Sequence, residues 1–233
     1  MQPVIAFDVN ETLLDLSALD PLFERVLGHK SVRSLWFGQM LQLSFVGIIT
    51  NDYVDFTTAQ DAALRMVAKR RGTELSDEDA KEIVGGMRAL PAHAEVRDAL
   101  LKVGESGARI CSLTNSPLGA AEAQLEFAGI RDCFDEVISA DEVKRLKPAA
   151  EPYRHAARRM STEISNVRLV AAHAWDVSGA LAVGCRAAFV GRPGMIASPL
   201  GPTADIVGAD LMEVVDQIIE KDPALRSARR SSK

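Results

Sequence analysis

Short apolar runs recur along the chain, and each ends in polar residues. They occupy residues 3–7, 108–113, 136–140, 167–172 and 187–191, with 205–208 as a possible sixth. Runs this short and this uniformly apolar read as strands buried on both faces. Between most of them the apolar positions recur at helical spacing, at 118–129 with Gly129 as the stop, at 151–160 and at 176–184. Strand and helix in alternation predict a parallel sheet with right-handed crossovers. The fold class expected is therefore α/β, with a Rossmann-like parallel sheet as core.

Residues 16–90 break this rhythm. They hold no convincing strand, and 32–48, 53–72 and 76–90 all read as helices, the last opened by Ser76 with Glu78 and Asp79 behind it. A helical segment is thus inserted after the first strand, and the sheet is expected to resume near residue 95. The division that follows is a core made of 1–15 and 91–222, a helical cap over 16–90, and a disordered tail over 223–233.

Composition narrows the function classes. The 233 residues suit one domain of moderate size or a core with an insert. Net charge is −5 and no basic cluster precedes the short tail RSARRSSK, which disfavours nucleic acid as a partner. No run of about 18 apolar residues appears, so no membrane span is expected, and the N-terminus enters a strand without a basic secretory region. Cys111, Cys133 and Cys185 match no metal spacing, and an odd, scattered set of thiols fits a reducing cytoplasm.

Ligands of open parallel sheets bind beyond the carboxyl ends of the strands. After the first strand come Asp8, Val9, Asn10 and Thr12; after the second, Thr114 and Asn115; after the third, further along, Lys147; after the fourth, His173, Trp175 and Asp176. Each has an ordinary structural reading as well. Asp8 suits a turn cap, Asp176 suits a helix cap, Lys147 suits an exposed loop, and His173 fits a hydrogen-bonded core position as well as a substrate contact. Trp36, Phe37 and Met40 form an apolar stripe of the kind that builds cores. Glu11 reads as solvated or salt-bridged, without a catalytic part.

Taken as a set, the strand-end Asp8, Thr12 four residues on, the Thr114–Asn115 pair, the KP lysine Lys147 and the Asp176 loop resemble the haloacid dehalogenase superfamily. The resemblance covers nearly the whole chain. Within the superfamily the stretch from LTNSPLGAAEAQ to LKPAAEPY, the helical insert and AHAWDVSGA are most similar to the type II L-2-haloacid dehalogenases. The resemblance implies a helical cap, a homodimer, no cofactor and no metal. It implies hydrolysis of short 2-haloalkanoic acids to 2-hydroxy acids and halide. In that scheme Asp8 is the nucleophile, Lys147 keeps it ionised, and Thr12 and Thr114 orient its oxygens. Asn115 donates to halide or substrate carboxylate, Asp176 activates water, Tyr153 supports Lys147, and Val9, Asn10, Phe37, His173 and Trp175 line the substrate site.

The chemistry of position 10 points the same way. Phosphatases of the superfamily carry an acid there to protonate an alkoxide leaving group, whereas Asn10 has no useful proton and a halide needs none. Their last loop also supplies acids for Mg²⁺, which takes oxygen ligands; this chain has Ala171 and Ala172 in that place. Two positions depart from the dehalogenase pattern. Phe37 stands where the cap arginine is expected, with Arg33 one turn earlier as a substitute, and Ala171 and His173 replace the usual Ser and Asn. The rival functions are an Mg²⁺-dependent phosphatase of the same fold and a relative that binds small acids without dehalogenating them.

Overall fold

A computed structural model describes residues 2–225. Six strands, β1 (Val4–Phe7), β2 (Arg109–Thr114), β3 (Glu136–Ser139), β4 (Val167–Ala171), β5 (Arg186–Val190) and β6 (Ile206–Gly208), form one sheet in the order β3-β2-β1-β4-β5-β6. Every pairing is parallel. The expected α/β class and sheet core are therefore observed. β1 lies between β2 and β4, with Ile5 opposite both Ile110 and Arg168. Its side chains alternate between two cores: Ile5 and Phe7 join one, Val4 and Ala6 the other. A strand covered on both faces and both edges leaves its carboxyl end as the outlet for a polar group, and Asp8 occupies that outlet.

Four helices follow β1: α1 (Asp20–Leu27), α2 (Val32–Thr50), α3 (Phe56–Arg71) and α4 (Asp77–Gly86). Their ends are set by local chemistry. The Asp55 carboxylate accepts the amides of Thr57 and Thr58 at the start of α3, and Gly72 closes it at φ 68°. Ser76 accepts the Asp79 amide at the start of α4, and three acids fill that first turn. Trp36 of α2 is fully buried and donates its Nε1 proton to the Gln60 carbonyl of α3 at 2.9 Å, which fixes the two helices in register.

The remaining helices are α5 (Val96–Glu105), α6 (Leu118–Phe127), α7 (Ala150–Arg159), α8 (Ala174–Ala182) and α9 (Leu211–Lys221). The sheet does not resume near residue 95. Val96, Ala99, Leu100 and Val103 are buried at helical spacing, so α5 comes first and β2 starts at Arg109. α1 and α9 were also not anticipated, although α9 buries Leu211, Val214, Val215, Ile218 and Ile219 on one face. Leu225 is buried in the core, so residues 223–225 of the expected tail belong to the fold, and the rest of it lies outside the described residues. Among the described residues no helix is long and apolar enough to cross a membrane.

Candidate active site

The site lies beyond the carboxyl ends of β1 and β4, where the strand order reverses direction and a crevice opens. The Asp8 amide still donates to the Val170 carbonyl at 3.0 Å, so the backbone of the sheet holds the residue while its side chain leaves the ladder. The chain then folds back, with the amides of Leu13 and Leu14 on the Val9 carbonyl. The carbonyl of Thr12 takes two bonds from Arg192, which also pairs with Glu95 at 2.6 Å. Arg192 follows β5, a strand end with no expected site residue, and it pins the loop from behind.

Asp8 is buried and makes three contacts to donors. Lys147 Nζ donates to Oδ1 at 2.9 Å. Thr12 Oγ1 donates to Oδ2 at 2.6 Å and itself accepts the Ala172 amide at 2.9 Å, so its proton is committed to Asp8. His173 Nδ1 lies 3.0 Å from Oδ2. Burial acts to raise the Asp8 pKa, but Lys147, His173 and Thr12 outweigh it and hold the carboxyl well below the usual carboxylate range. The group is an anion at any working pH.

Lys147 bridges two acids. Its Nζ reaches Asp176 Oδ2 at 2.5 Å and also donates to the Leu113 carbonyl at 2.7 Å. Three acceptors saturate the ammonium, and together they keep the fully buried lysine charged and its pKa raised against the opposing effect of burial. Asp176 sits in the first turn of α8, is fully buried, and accepts the Tyr153 hydroxyl at 2.6 Å on its other oxygen. Burial raises its pKa, and the nearby Asp8 charge adds to this. Gly179 keeps this corner compact: a Cβ there would meet Pro148 and the Tyr153 hydroxyl at 2.6 Å.

On the other side of Asp8, His173 has a second partner. Its Nε2 lies 3.0 Å from Glu11 Oε2. Both carboxylates only accept, so both ring nitrogens must donate and the ring is an imidazolium. Desolvation opposes this, yet the two hydrogen-bonded acids raise the His173 pKa to about 9. The ring is stacked between Phe37 (5.7 Å between centroids, 12° between planes) and Trp175 (5.1 Å, 29°). Glu11 in turn meets Arg33 Nη1 at 3.5 Å, and Arg33 Nε binds Asp20 at 2.6 Å. Glu11 adopts φ 61°, a left-handed backbone that costs a non-glycine residue on the order of 1 kcal/mol. Something in the site repays that strain, and the bond to His173 is the candidate. A cavity of about 480 Å³ opens beside this arm, lined among others by Glu11, Arg33, Phe37, His173 and Trp175.

The structure brings Asp8, Thr12, Lys147, Tyr153, His173, Trp175 and Asp176 together, and it changes several expected roles. Tyr153 bonds Asp176 and not Lys147. Asn115 clamps the backbone of Lys147, accepting its amide at 2.7 Å and donating to its carbonyl at 3.2 Å, so it positions the lysine. Thr114 Oγ1 accepts the Ser116 amide, and no bond joins it to Asp8 among the described residues. Asn10 is held by Ser116 Oγ at 3.3 Å and by Gln124 Nε2 at 3.0 Å, which locks its amide in place. Val9 is fully buried in the core cluster. Phe37 is buried against His173, and Arg33 is engaged through Nε by Asp20 and through Nη1 by Glu11. Trp175 has a buried Nε1 proton with no partner among the described residues. Glu11 and Arg192 were missed as site residues. Glu11 carries one local signal, its place in the tight turn directly after the strand-end acid.

The donor set is a poor match for a divalent cation. Among the described residues no group of three or more His, Cys, Asp or Glu is arranged to hold a metal ion, and the Lys147 ammonium fills the gap between Asp8 and Asp176.

Residues 3–184 match the family model of haloacid dehalogenase-like hydrolases. The chain belongs to that family. Among curated haloacid dehalogenase-like proteins it is similar to an (S)-2-haloacid dehalogenase of Pseudomonas sp. strain YL, 28% identical over 214 residues that cover 91% of this chain and 92% of the relative. It is also similar to haloacetate dehalogenase H-2 of Moraxella sp. strain B, 26% identical over 217 residues, covering 92% and 95%. In fold it resembles an L-2-haloacid dehalogenase from Xanthobacter autotrophicus solved with chloropropionic acid covalently bound. The TM-score is 0.89 at 19% identity, over 95% of this chain and 100% of that one.

Proposed function

We propose that this hydrolase converts short 2-haloalkanoic acids to 2-hydroxy acids and halide through an ester on Asp8, without a metal. The observation that carries the reading is the pairing of a permanently ionised, buried Asp8 with a neighbour at position 10 that has no acidic proton and is locked by Ser116 and Gln124. Position 10 thus lacks the acid with which phosphatases of the superfamily protonate an alkoxide leaving group, which suits departure of a halide.

In the first step an Asp8 oxygen attacks the halogen-bearing carbon from behind, the carbon–halogen bond breaks, and the halide leaves with its electron pair. Lys147 and Thr12 aim the carboxylate. The cationic His173 and the unpartnered Nε1 proton of Trp175 are the groups of opposite character available to the substrate carboxylate or the halide. In the second step water attacks the carbonyl carbon of the Asp8 ester, releasing the hydroxy acid and restoring the carboxylate. Asp176, buried with its pKa raised and tied to Lys147, is the base the family resemblance implies.

Residues 16–90 serve as a cap domain over this site in the same reading. The protein works in the cytoplasm as a homodimer, a state supported by the exposed apolar residues Leu35, Val46 and Ile49 on α2.

The test is halide release from fluoro-, chloro- and bromoacetate and from both enantiomers of 2-chloropropionate, with EDTA present, for the intact protein and for Asp8→Asn. Release that survives EDTA and disappears in the variant is expected. No release from any of these acids, or Mg²⁺-dependent turnover of a phosphomonoester in their place, overturns the reading.

A further inference from the structure

The Asp8 ester needs a base for its attacking water, and Asp176 is encumbered. It is fully buried, one of its oxygens is held by Lys147 at 2.5 Å, and the other is held by Tyr153 at 2.6 Å. His173 has different surroundings. Its Nδ1 lies 3.0 Å from the nucleophile and its Nε2 lies 3.0 Å from Glu11, so Asp8, His173 and Glu11 stand in line as nucleophile, imidazole and orienting acid. That is the arrangement in which an imidazole exchanges protons with a reacting centre while a carboxylate fixes its tautomer. The stack between Phe37 and Trp175 prevents the ring from turning away, and the ring borders the open cavity of about 480 Å³ from which water can arrive.

We propose that His173, oriented by Glu11, is the general base of the second half-reaction, its Nδ1 taking a proton from the water that attacks the Asp8 ester. Glu11 is then a positioning residue. The inference rests on the dehalogenase reading above.

The proton count closes. In the free protein the ring is an imidazolium between two carboxylates. Attack by Asp8 on the carbon–halogen bond makes a neutral ester, expels halide and removes one of the two charges that held the extra proton. That proton leaves from Nδ1 to solvent, and the neutral ring keeps Nε2–H on Glu11. Water then adds to the ester carbonyl carbon as Nδ1 takes its proton. The tetrahedral intermediate expels the alkoxide of the hydroxy acid, which receives that proton. The carboxyl proton left on Asp8 returns to Nδ1, and the starting ion pair is restored. The sum is haloacid plus water giving hydroxy acid, halide and one proton.

Charged groups face this ring from every side. Asp8 comes from the end of β1, Glu11 from the following turn, Arg33 from α2 behind Glu11, Lys147 from across Asp8, and Asp176 from α8 behind Lys147. Of these only Asp8 loses its charge during turnover, so the ring's proton affinity falls at the stage where a base is required. The strained φ of 61° at Glu11 fits a residue kept for its carboxylate and not for its backbone.

The test follows chloroacetate turnover by His173→Asn, Glu11→Gln and Asp176→Asn with rapid quenching, measuring halide and the mass of the intact protein. For His173→Asn the expected result is one halide per protein in a burst, then steady turnover lower by about 10²–10⁴-fold. The protein should accumulate with a carboxymethyl group on the peptide that carries Asp8. The burst itself reports that the variant is folded. Glu11→Gln is expected to keep the burst and to move the rising limb of the ester-hydrolysis pH profile to lower pH, because the ring loses a charge that favours its protonated form. A role in shape alone would leave that limb in place. Full steady turnover by His173→Asn, or ester accumulation in Asp176→Asn and not in His173→Asn, overturns the assignment to His173 alone. Absence of halide release by the intact protein overturns the dehalogenase reading and this step with it.

Discussion

Two arms extend from Asp8, and both consist of a cation followed by a carboxylate. One runs inward through Lys147 to Asp176 and Tyr153. Its charged groups belong to the core, and both Lys147 and Asp176 are fully buried. The other runs outward through His173 to Glu11, Arg33 and Asp20, ends in α1 and α2, and borders an open cavity. The inner arm joins a lysine whose pKa its acids raise to an acid whose pKa burial raises. The outer arm carries an imidazole, the side chain whose ordinary pKa lies nearest neutrality, and its two acids raise that pKa to about 9. The difference suggests a division of labour in which the inner arm fixes the nucleophile as an anion and the outer arm moves protons and meets substrate.

The largest expected effect breaks the junction itself. Asp8→Asn removes the group that both arms address, and halide release should fall by at least about 10⁴-fold, read in an ion-selective electrode assay. A residual rate within tenfold of the intact protein would mean that neither arm serves the reaction.

Cutting the inner arm comes next. Lys147→Met leaves two buried carboxylates facing each other, and loss of one partner from a buried ion pair costs about 3–5 kcal/mol. Urea unfolding at pH 7 should show that loss, and the loss should shrink in acid as one carboxyl takes a proton. An unchanged urea midpoint would show that the pair is solvated in solution.

The outer arm is sharpened by pH alone. The folded pKa of His173 is about 9, raised from 6.5 by its bonds to Asp8 and Glu11. A pKa raised on folding gives stability that is fully present below about 6.5 and is lost as pH rises through about 9. The contribution is on the order of 3 kcal/mol. Thermal unfolding of the intact protein should therefore weaken across that window, while His173→Asn should show a flatter curve. Parallel curves would place a neutral ring in the folded state.

The smallest effect lies at the far end of the outer arm. Arg33 is partly buried with 15% of its side chain exposed, and glutamine keeps a donor and part of the stem, so Arg33→Gln should cost about 1 kcal/mol in unfolding experiments. A loss comparable to that of Lys147→Met would contradict the contrast between the arms.

The same contrast governs what the sequence made legible. The sheet could be read because its strands are short, apolar and spaced by helical patterns. The inner arm could be read because its residues sit directly after strands, at positions set by topology. α5 and α9 are not legible in the sequence reading although their buried faces are regular, and the resumption of the sheet expected near residue 95 falls at the start of α5. The contacts of Asn115 and Tyr153 were not legible because hydrogen-bond direction is decided by packing: Asn115 holds the Lys147 backbone and Tyr153 donates to Asp176. Glu11 was dismissed because an exposed-looking acid in a turn carries no periodic signal. Its meaning comes only from His173, 162 residues away in the chain.

The most direct test of the central claim is a single turnover of chloroacetate in water enriched in oxygen-18, with the protein in excess. If Asp8 attacks carbon and its ester is then hydrolysed at the carbonyl, the heavy oxygen should appear in Asp8 and be absent from the first glycolate formed. Heavy oxygen in that first glycolate, with none in Asp8, would mean that water displaces the halide directly, contradicting a covalent role for Asp8.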